Sequence, residues 1–187
     1  LDSPEVLAKE ETLWKLPDGT DRWFLIDDRD GGIESVKKLI MELVISCECK
    51  LILIDPLQDL TDGLTNDEQA VFQRWMKGLV KSHGVTFLNI NHTRKTPSGG
   101  KQGSTGADLH EEDFQGSSSI FKSAACNLLF SRNKEATEDL EKNTTLMKMT
   151  KCRWTGSTGM SGEYYYNNST HTLHDKLDWL EANPSSF

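Results

Sequence analysis

The stretch KLILID, residues 50–55, decides how the rest of the chain is read. Leu51 to Ile54 are apolar without a break, the pattern of a strand buried on both faces inside a parallel sheet. Before it, Ile33, Val36, Leu39, Ile40, Leu43 and Val44 recur at intervals of three and four, which predicts an amphipathic helix. Earlier still, Trp23–Ile26 (WFLI) reads as a first short strand that ends in Asp27 and Asp28 and is broken by Gly31 and Gly32. After it, Ala70, Val71, Trp75, Leu79 and Val80 predict a helix over about residues 67–82, and VTFLNIN, residues 85–91, predicts a third strand. Strand and helix alternate, so the chain is expected to be α/β, with right-handed crossovers and a parallel sheet.

Residues 96–112 are rich in Gly and Ser and have no apolar period. A loop of that length inside a compact domain is usually functional. Order is expected to resume with a short helix at Ser118–Ala125 and strands at Asn127–Ser131 and Thr145–Thr150. A glycine-spaced segment follows at Arg153–Gly162, and a hairpin is expected between Glu163–Asn167 and Thr172–His174.

Composition narrows the class. At 187 residues the chain fits one domain, and 36% hydrophobic with 27% charged residues excludes a disordered tail. The longest apolar stretch falls far short of the roughly 18 residues a membrane-spanning helix needs, and no targeting signal opens the chain. The net charge of -8 excludes a protein that coats nucleic acid with its whole surface, so any such contact is local. Cys47, Cys49, Cys126 and Cys152 form no CxxC pair and have no histidine at finger spacing, which predicts reduced intracellular thiols and no zinc site. Residue 1 is Leu, and the polar opening LDSPEVLAKEE predicts an internal start.

Asp55 stands where an open α/β sheet presents ligands, just beyond the carboxyl end of a strand. A carboxylate there commonly holds magnesium beside a nucleoside triphosphate, and a turn before Pro56 is its alternative role. Asn89, Asn91 and His92 reach the same edge from the next strand, although a lone histidine at a strand end is often only a turn residue. Arg94, Lys95 and Lys101 sit in the Gly-rich loop of an otherwise acidic chain, as a phosphate-binding arm would, or as a solvated loop. Lys151 and Arg153 end a strand before TGSTG, residues 155–159; a guanidinium there could spread the charge of a transferring phosphoryl group, while strand-end cations are also ordinary. The phosphate-cradling GxxxxGK[ST] is missing, since the one GK pair, Gly100-Lys101, has Lys95 where the first Gly is needed, and there is no GxGxxG.

Four segments then act together: LILIDPLQDL (51–60), NINHTRK (89–95), FQGSSSIFKSAACNLLFSRNKE (114–135) and KMTKCRWTGSTGMSGEYYYN (148–167). In this order they resemble successive motifs of the hexameric DnaB-type replicative helicases, the phage primase-helicases and mitochondrial Twinkle among them. The resemblance runs from about Trp23 to Asn167. It implies a RecA-like P-loop NTPase core over residues 23–167, with a largely parallel sheet flanked by helices and a C-terminal β-hairpin. A polar segment, residues 1–22, is expected before this core and a tail, residues 168–187, after it. The P-loop and the catalytic glutamate lie upstream of the family's equivalent of Trp23. The chain is therefore expected to be the C-terminal two-thirds of a helicase ATPase domain, and inactive alone.

Residue by residue, the resemblance implies that Asp55 is the Walker B aspartate positioning Mg2+, and that His92 is the sensor linking the γ-phosphate to the DNA loop. Arg94, Lys95 and Lys101 match that loop, which grips single-stranded DNA. Gln115 and Gly116 open the motif that follows it, Gln115 standing where the family has Arg. Arg153 matches the arginine finger given to a neighbouring subunit's nucleotide, with Lys151 its companion, and Arg132 and Tyr166 fall where the nucleotide base is sandwiched. The implied substrate is ATP or another NTP or dNTP. The implied partners are single-stranded DNA and further copies in a hexameric ring moving 5′ to 3′, in the cytoplasm of a bacterial or phage-infected cell and without a membrane. The tail (Leu177, Trp179, Leu180, Phe187 among Asp175, Asp178 and Glu181) resembles one that docks on the replicative polymerase, or else Leu177 and Leu180 pack a last turn. A RecA or RadA-type recombination ATPase and a non-catalytic DNA- or partner-binding module are the other readings.

Overall fold

The computed structural model describes residues 4, 9, 12–27, 31–93, 109–110, 113–114 and 117–184. In chain order the elements are α1 (Gly32–Ile45), β1 (Leu51–Ile54), α2 (Leu57–Thr61), α3 (Asn66–His83), β2 (Thr86–Asn89), α4 (Ser118–Ser123), β3 (Cys126–Arg132), α5 (Asp139–Lys142), β4 (Thr144–Cys152), β5 (Gly159–Asn167), β6 (Thr172–Asp175) and α6 (Lys176–Ala182). The fold is mixed α/β. β1 and β2 pair in parallel, Leu51 opposite Thr86 and Ile54 opposite Asn89.

The other four strands form an antiparallel sheet in the order β3-β4-β5-β6, so the sheet structure is not largely parallel. The connections explain this. A parallel return needs a crossover of about a dozen residues or more. β4 turns into β5 over residues 153–158, and β5 into β6 over 168–171, which leaves room only for hairpins. The β5–β6 hairpin falls where the sequence placed it, with Tyr165 opposite His174 and Asn167 opposite Thr172.

Trp23–Ile26 is not a strand. Its residues are exposed, Leu25 by 98%, and among the described residues no strand pairs with it. An apolar run becomes a strand only where a neighbour takes up its backbone hydrogen bonds. The run in β1 is buried on one face alone. Ile52 and Ile54 face the core, whereas Leu51 and Leu53 stay 54% and 51% exposed. That core is built from Val36, Ile40 and Val44 of α1, Phe72, Met76 and Leu79 of α3, and Leu57, Val85 and Ile120.

Local chemistry sets the borders of α3. Thr65 accepts from the backbone N–H of Glu68 while the Glu68 carboxylate accepts from the Thr65 N–H, a reciprocal capping box, and Gly84 closes the helix in the left-handed conformation at φ +66. The same hydrogen bonds from Thr65 hold the Glu68 carboxyl below its ordinary value. At the far end, α6 packs through Trp179, stacked on Tyr165 with ring centroids 5.0 Å apart, and through the half-buried Leu180, while Leu177 is exposed. No helix among the described residues is long and apolar enough to cross a membrane.

Leu57 is fully buried, and Leu57→Ala is expected to destabilise the protein by about 2–5 kcal/mol. Thr65→Ala, which removes only the cap, is expected to cost about 1 kcal/mol. The shift in urea midpoint at constant slope measures both.

Candidate functional site

The carboxyl edge of the parallel pair is the first part of the site. Beyond the strands, the Ile90 N–H donates to the Ile54 carbonyl at 2.9 Å and the Leu57 N–H donates to the Ile90 carbonyl at 2.9 Å. These bonds hold the segment after β1 against the segment after β2, bringing Asp55 and Asn89–His92 to one edge as the sequence predicted. Asp55 and His92 are exposed. Gln58 of α2 donates its amide to the His92 carbonyl at 3.3 Å. In the same two segments three amide oxygens, Gln58 Oε1, Asn89 Oδ1 and Asn91 Oδ1, are buried without a hydrogen-bond partner; Asn89 stands opposite Ile54 on the core face, whereas Asp55 follows Leu53 on the exposed one. Among the described residues no three His, Cys, Asp or Glu side chains form a metal-binding group. Asp55 alone would supply the charged ligand. That fits Mg2+, which is commonly held by one or two carboxylates together with substrate phosphates and water.

Arg94, Lys95, Lys101, Gln115 and Gly116 lie outside the described residues, and the structure describes only what flanks them. Thr93 pairs with Phe114 in an antiparallel bridge, and Phe114 stacks on Phe121 of α4 at 6.3 Å. Leu109 is 3% exposed, and its carbonyl accepts from Lys148 Nζ of β4 at 3.2 Å.

Lys151 and Arg153 meet at the end of β4. Lys151 Nζ donates to the carbonyls of Phe121 and Lys122, at 2.9 and 2.8 Å, and Arg153 Nη2 donates to the Lys122 carbonyl at 3.0 Å. The last carbonyls of a helix have no partners within it, and cations satisfy them with help from the helix dipole. Arg153 is exposed. Between these two cations, Cys152 stands opposite Cys126 of β3. The hydroxyl and then the N–H of Thr155, with the Trp154 N–H, bring the Cys152 thiol down to about 7; burial, and then Cys152 itself, push Cys126 up.

Arg132 and Tyr166 lie at the opposite end of the antiparallel sheet. Arg132 pairs with Thr145, and Thr145 with Tyr164, so alternation puts Arg132 and Tyr166 on one face. Arg132 Nε is buried without a partner, and the Tyr166 hydroxyl is hydrogen-bonded to His171 Nδ1 at 2.9 Å. β4 has nine residues, so its two ends are about 26 Å apart at roughly 3.3 Å per residue.

The site thus consists of an exposed carboxylate at the end of the parallel pair, the described feet of a basic loop, and a strand carrying cations to its far end. Over 143 residues, 74% of the chain, the sequence is 32% identical to the DNA helicase/primase of Enterobacteria phage T3. This chain is a relative of the phage helicase/primases. The matched region is 23% of the T3 protein, so the chain spans about a quarter of that relative's length. No protein-family model matches the chain.

In this helicase/primase relative, three features had no signal in the sequence. Gln58 reads as an ordinary polar residue of α2. The α4 carbonyls are backbone, which every residue carries. Cys126 and Cys152 become neighbours only through strand register.

The Cys152 thiol supplies a pH test. Its folded value of about 7 lies below the ordinary 9, so the thiolate's contribution to stability is present above pH 9 and is lost as pH falls through 7. The stability of the native protein relative to Cys152→Ser is expected to rise between pH 7 and 9, and thiolate absorbance near 240 nm should titrate with a midpoint near 7 that Cys152→Ser removes.

Proposed function

We propose that this chain is part of a ring-forming, ATP-dependent replicative DNA helicase, its elements belonging to a RecA-like core that moves 5′ to 3′ on single-stranded DNA. The observation that carries this reading is the separation along β4. Arg153, just past the end of β4, lies about 26 Å from the level of Arg132 and Tyr166, farther than one compact nucleotide site reaches, so the two ends serve different nucleotides. Head-to-tail contacts that close into a ring provide that arrangement, each subunit giving Arg153 to its neighbour. The 32% identity to a phage DNA helicase/primase supports the same reading.

Within it, Arg132 and Tyr166 flank the base and Asp55 holds Mg2+. When bound, the ion offsets the negative charge of the phosphates. His92 lies one residue before Thr93, which is bridged to Phe114 at the foot of the basic loop, so a group sensing the γ-phosphate is joined directly to the segment that holds DNA. Arg94, Lys95 and Lys101 contact DNA phosphates, with Gln115 and Gly116 beside them. Lys151 fixes the base from which Arg153 extends. The C-terminal tail, residues 168–187, supplies the docking segment for the replicative polymerase.

In the intact protein, Arg153→Ala is expected to lower nucleotide turnover by about 10³-fold or more. Mixing it with Asp55→Asn subunits should restore turnover at mixed interfaces, and mixtures that never exceed the sum of the separate activities would refute action in trans. Replacing Arg94, Lys95 and Lys101 by Ala should flatten the log–log salt dependence of single-strand binding by about 0.7 for each DNA phosphate no longer neutralised. An unchanged slope would remove the loop from the DNA site.

A further inference from the structure

Cys126 and Cys152 are directly opposite across β3 and β4, and the Arg153 N–H donates to the Ala125 carbonyl at 2.9 Å just outside them. A bond in that position marks theirs as the narrow, non-hydrogen-bonded kind of antiparallel pair. In such pairs the Cα atoms are about 4.5 Å apart, within the roughly 4.4–6.8 Å that a disulfide spans. The two thiols lie close enough to influence one another, Cys152 pushing Cys126 up. Cys152 is buried, Cys126 is half-buried, and both are free thiols. Neither takes part in the function proposed above, yet Cys152 lies between Lys151 and Arg153, and its carbonyl accepts from the Gly156 N–H at 2.8 Å in the turn that follows Arg153.

We propose that Cys126 and Cys152 form a redox-active pair that closes to a disulfide with hydrogen peroxide, reopens with thiol, and thereby resets the turn that carries Arg153. The Cys152 thiolate attacks one peroxide oxygen and the O–O bond breaks, giving the Cys152 sulfenic acid and hydroxide. Cys126 sulfur then attacks Cys152 Sγ. The S–S bond forms, the S–O bond breaks, and the sulfenic hydroxyl leaves as water with the Cys126 proton. Two electrons pass from the thiols to the peroxide, and two waters result once the hydroxide is protonated. The hydrogen bonds from Thr155 and Trp154 favour the thiolate, which is the reactive form, and peroxide is small enough to reach a largely buried sulfur. Closure draws Cys152 toward Cys126 between the Arg153–Ala125 and Gly156–Cys152 backbone hydrogen bonds, and so shifts the turn that carries the guanidinium. The effect on Arg153 rests on the function proposed above; the disulfide does not.

The test treats the intact protein with graded hydrogen peroxide, blocks remaining thiols with iodoacetamide, and maps peptides by mass spectrometry without reductant. The expected result is a Cys126–Cys152 linkage reversed by dithiothreitol, with turnover falling and recovering in step, and in Cys126→Ser a Cys152 sulfenic acid trapped by dimedone. Cys126 and Cys152 remaining free at doses that oxidise the exposed Cys47 would overturn the pair. A complete linkage in an active protein that leaves turnover unchanged would overturn its effect on Arg153, whereas a reduced protein without turnover would count against the helicase reading and leave the disulfide standing.

Discussion

Two cations at the end of one strand hold the last carbonyls of a six-residue helix, and the two sheets are joined through that helix. α4 is too short to be stable alone. On one side it places Ile120 in the core beneath β1, and its Ser123 hydroxyl donates to Gln73 of α3 at 2.9 Å. On the other side Lys151 and Arg153 occupy its C-terminal carbonyls. Together with Asn127 of β3, which donates to the Phe121 carbonyl at 3.0 Å, these hydrogen bonds tie the antiparallel sheet to α4 and through it to the α1–β1–α3 layer.

The same helix gathers the working parts. Phe121 stacks on Phe114, which is bridged to Thr93, one residue beyond His92. The strand that clasps α4 also reaches Leu109 through Lys148. The segment after β2, the Phe114 foot of the basic loop and the Arg153 turn therefore meet around one short helix. A displacement at any of them is transmitted to the others through packed backbone rather than through long side chains.

The sequence was readable where the determinant is local. The spacing of Val36, Ile40 and Val44 marks α1, and Thr65 with Glu68 begins α3 by a bond that depends only on neighbouring residues. Asp55 and His92 could be placed because each follows an apolar run and strand ends in such folds gather at one edge. Where the determinant is long-range, the reading failed. WFLI has the composition of a strand but no described neighbour to pair with, and apolar runs do not reveal whether their partners run parallel or antiparallel. Cys126 and Cys152 are adjacent only because β3 and β4 adopt one register, and a shift by a single residue would turn one of them to the other face.

The half-covered β1–β2 pair bears on how this chain behaves apart from other polypeptide. Leu53 and Leu88 are neighbours across the ladder and both are about half exposed, and Trp23–Ile26 adds further uncovered apolar surface. Such surface is sticky irrespective of partner. A particle mass measured on this chain is therefore expected to depend on concentration and salt, because contact through that leucine face is driven by area and not by a matched partner.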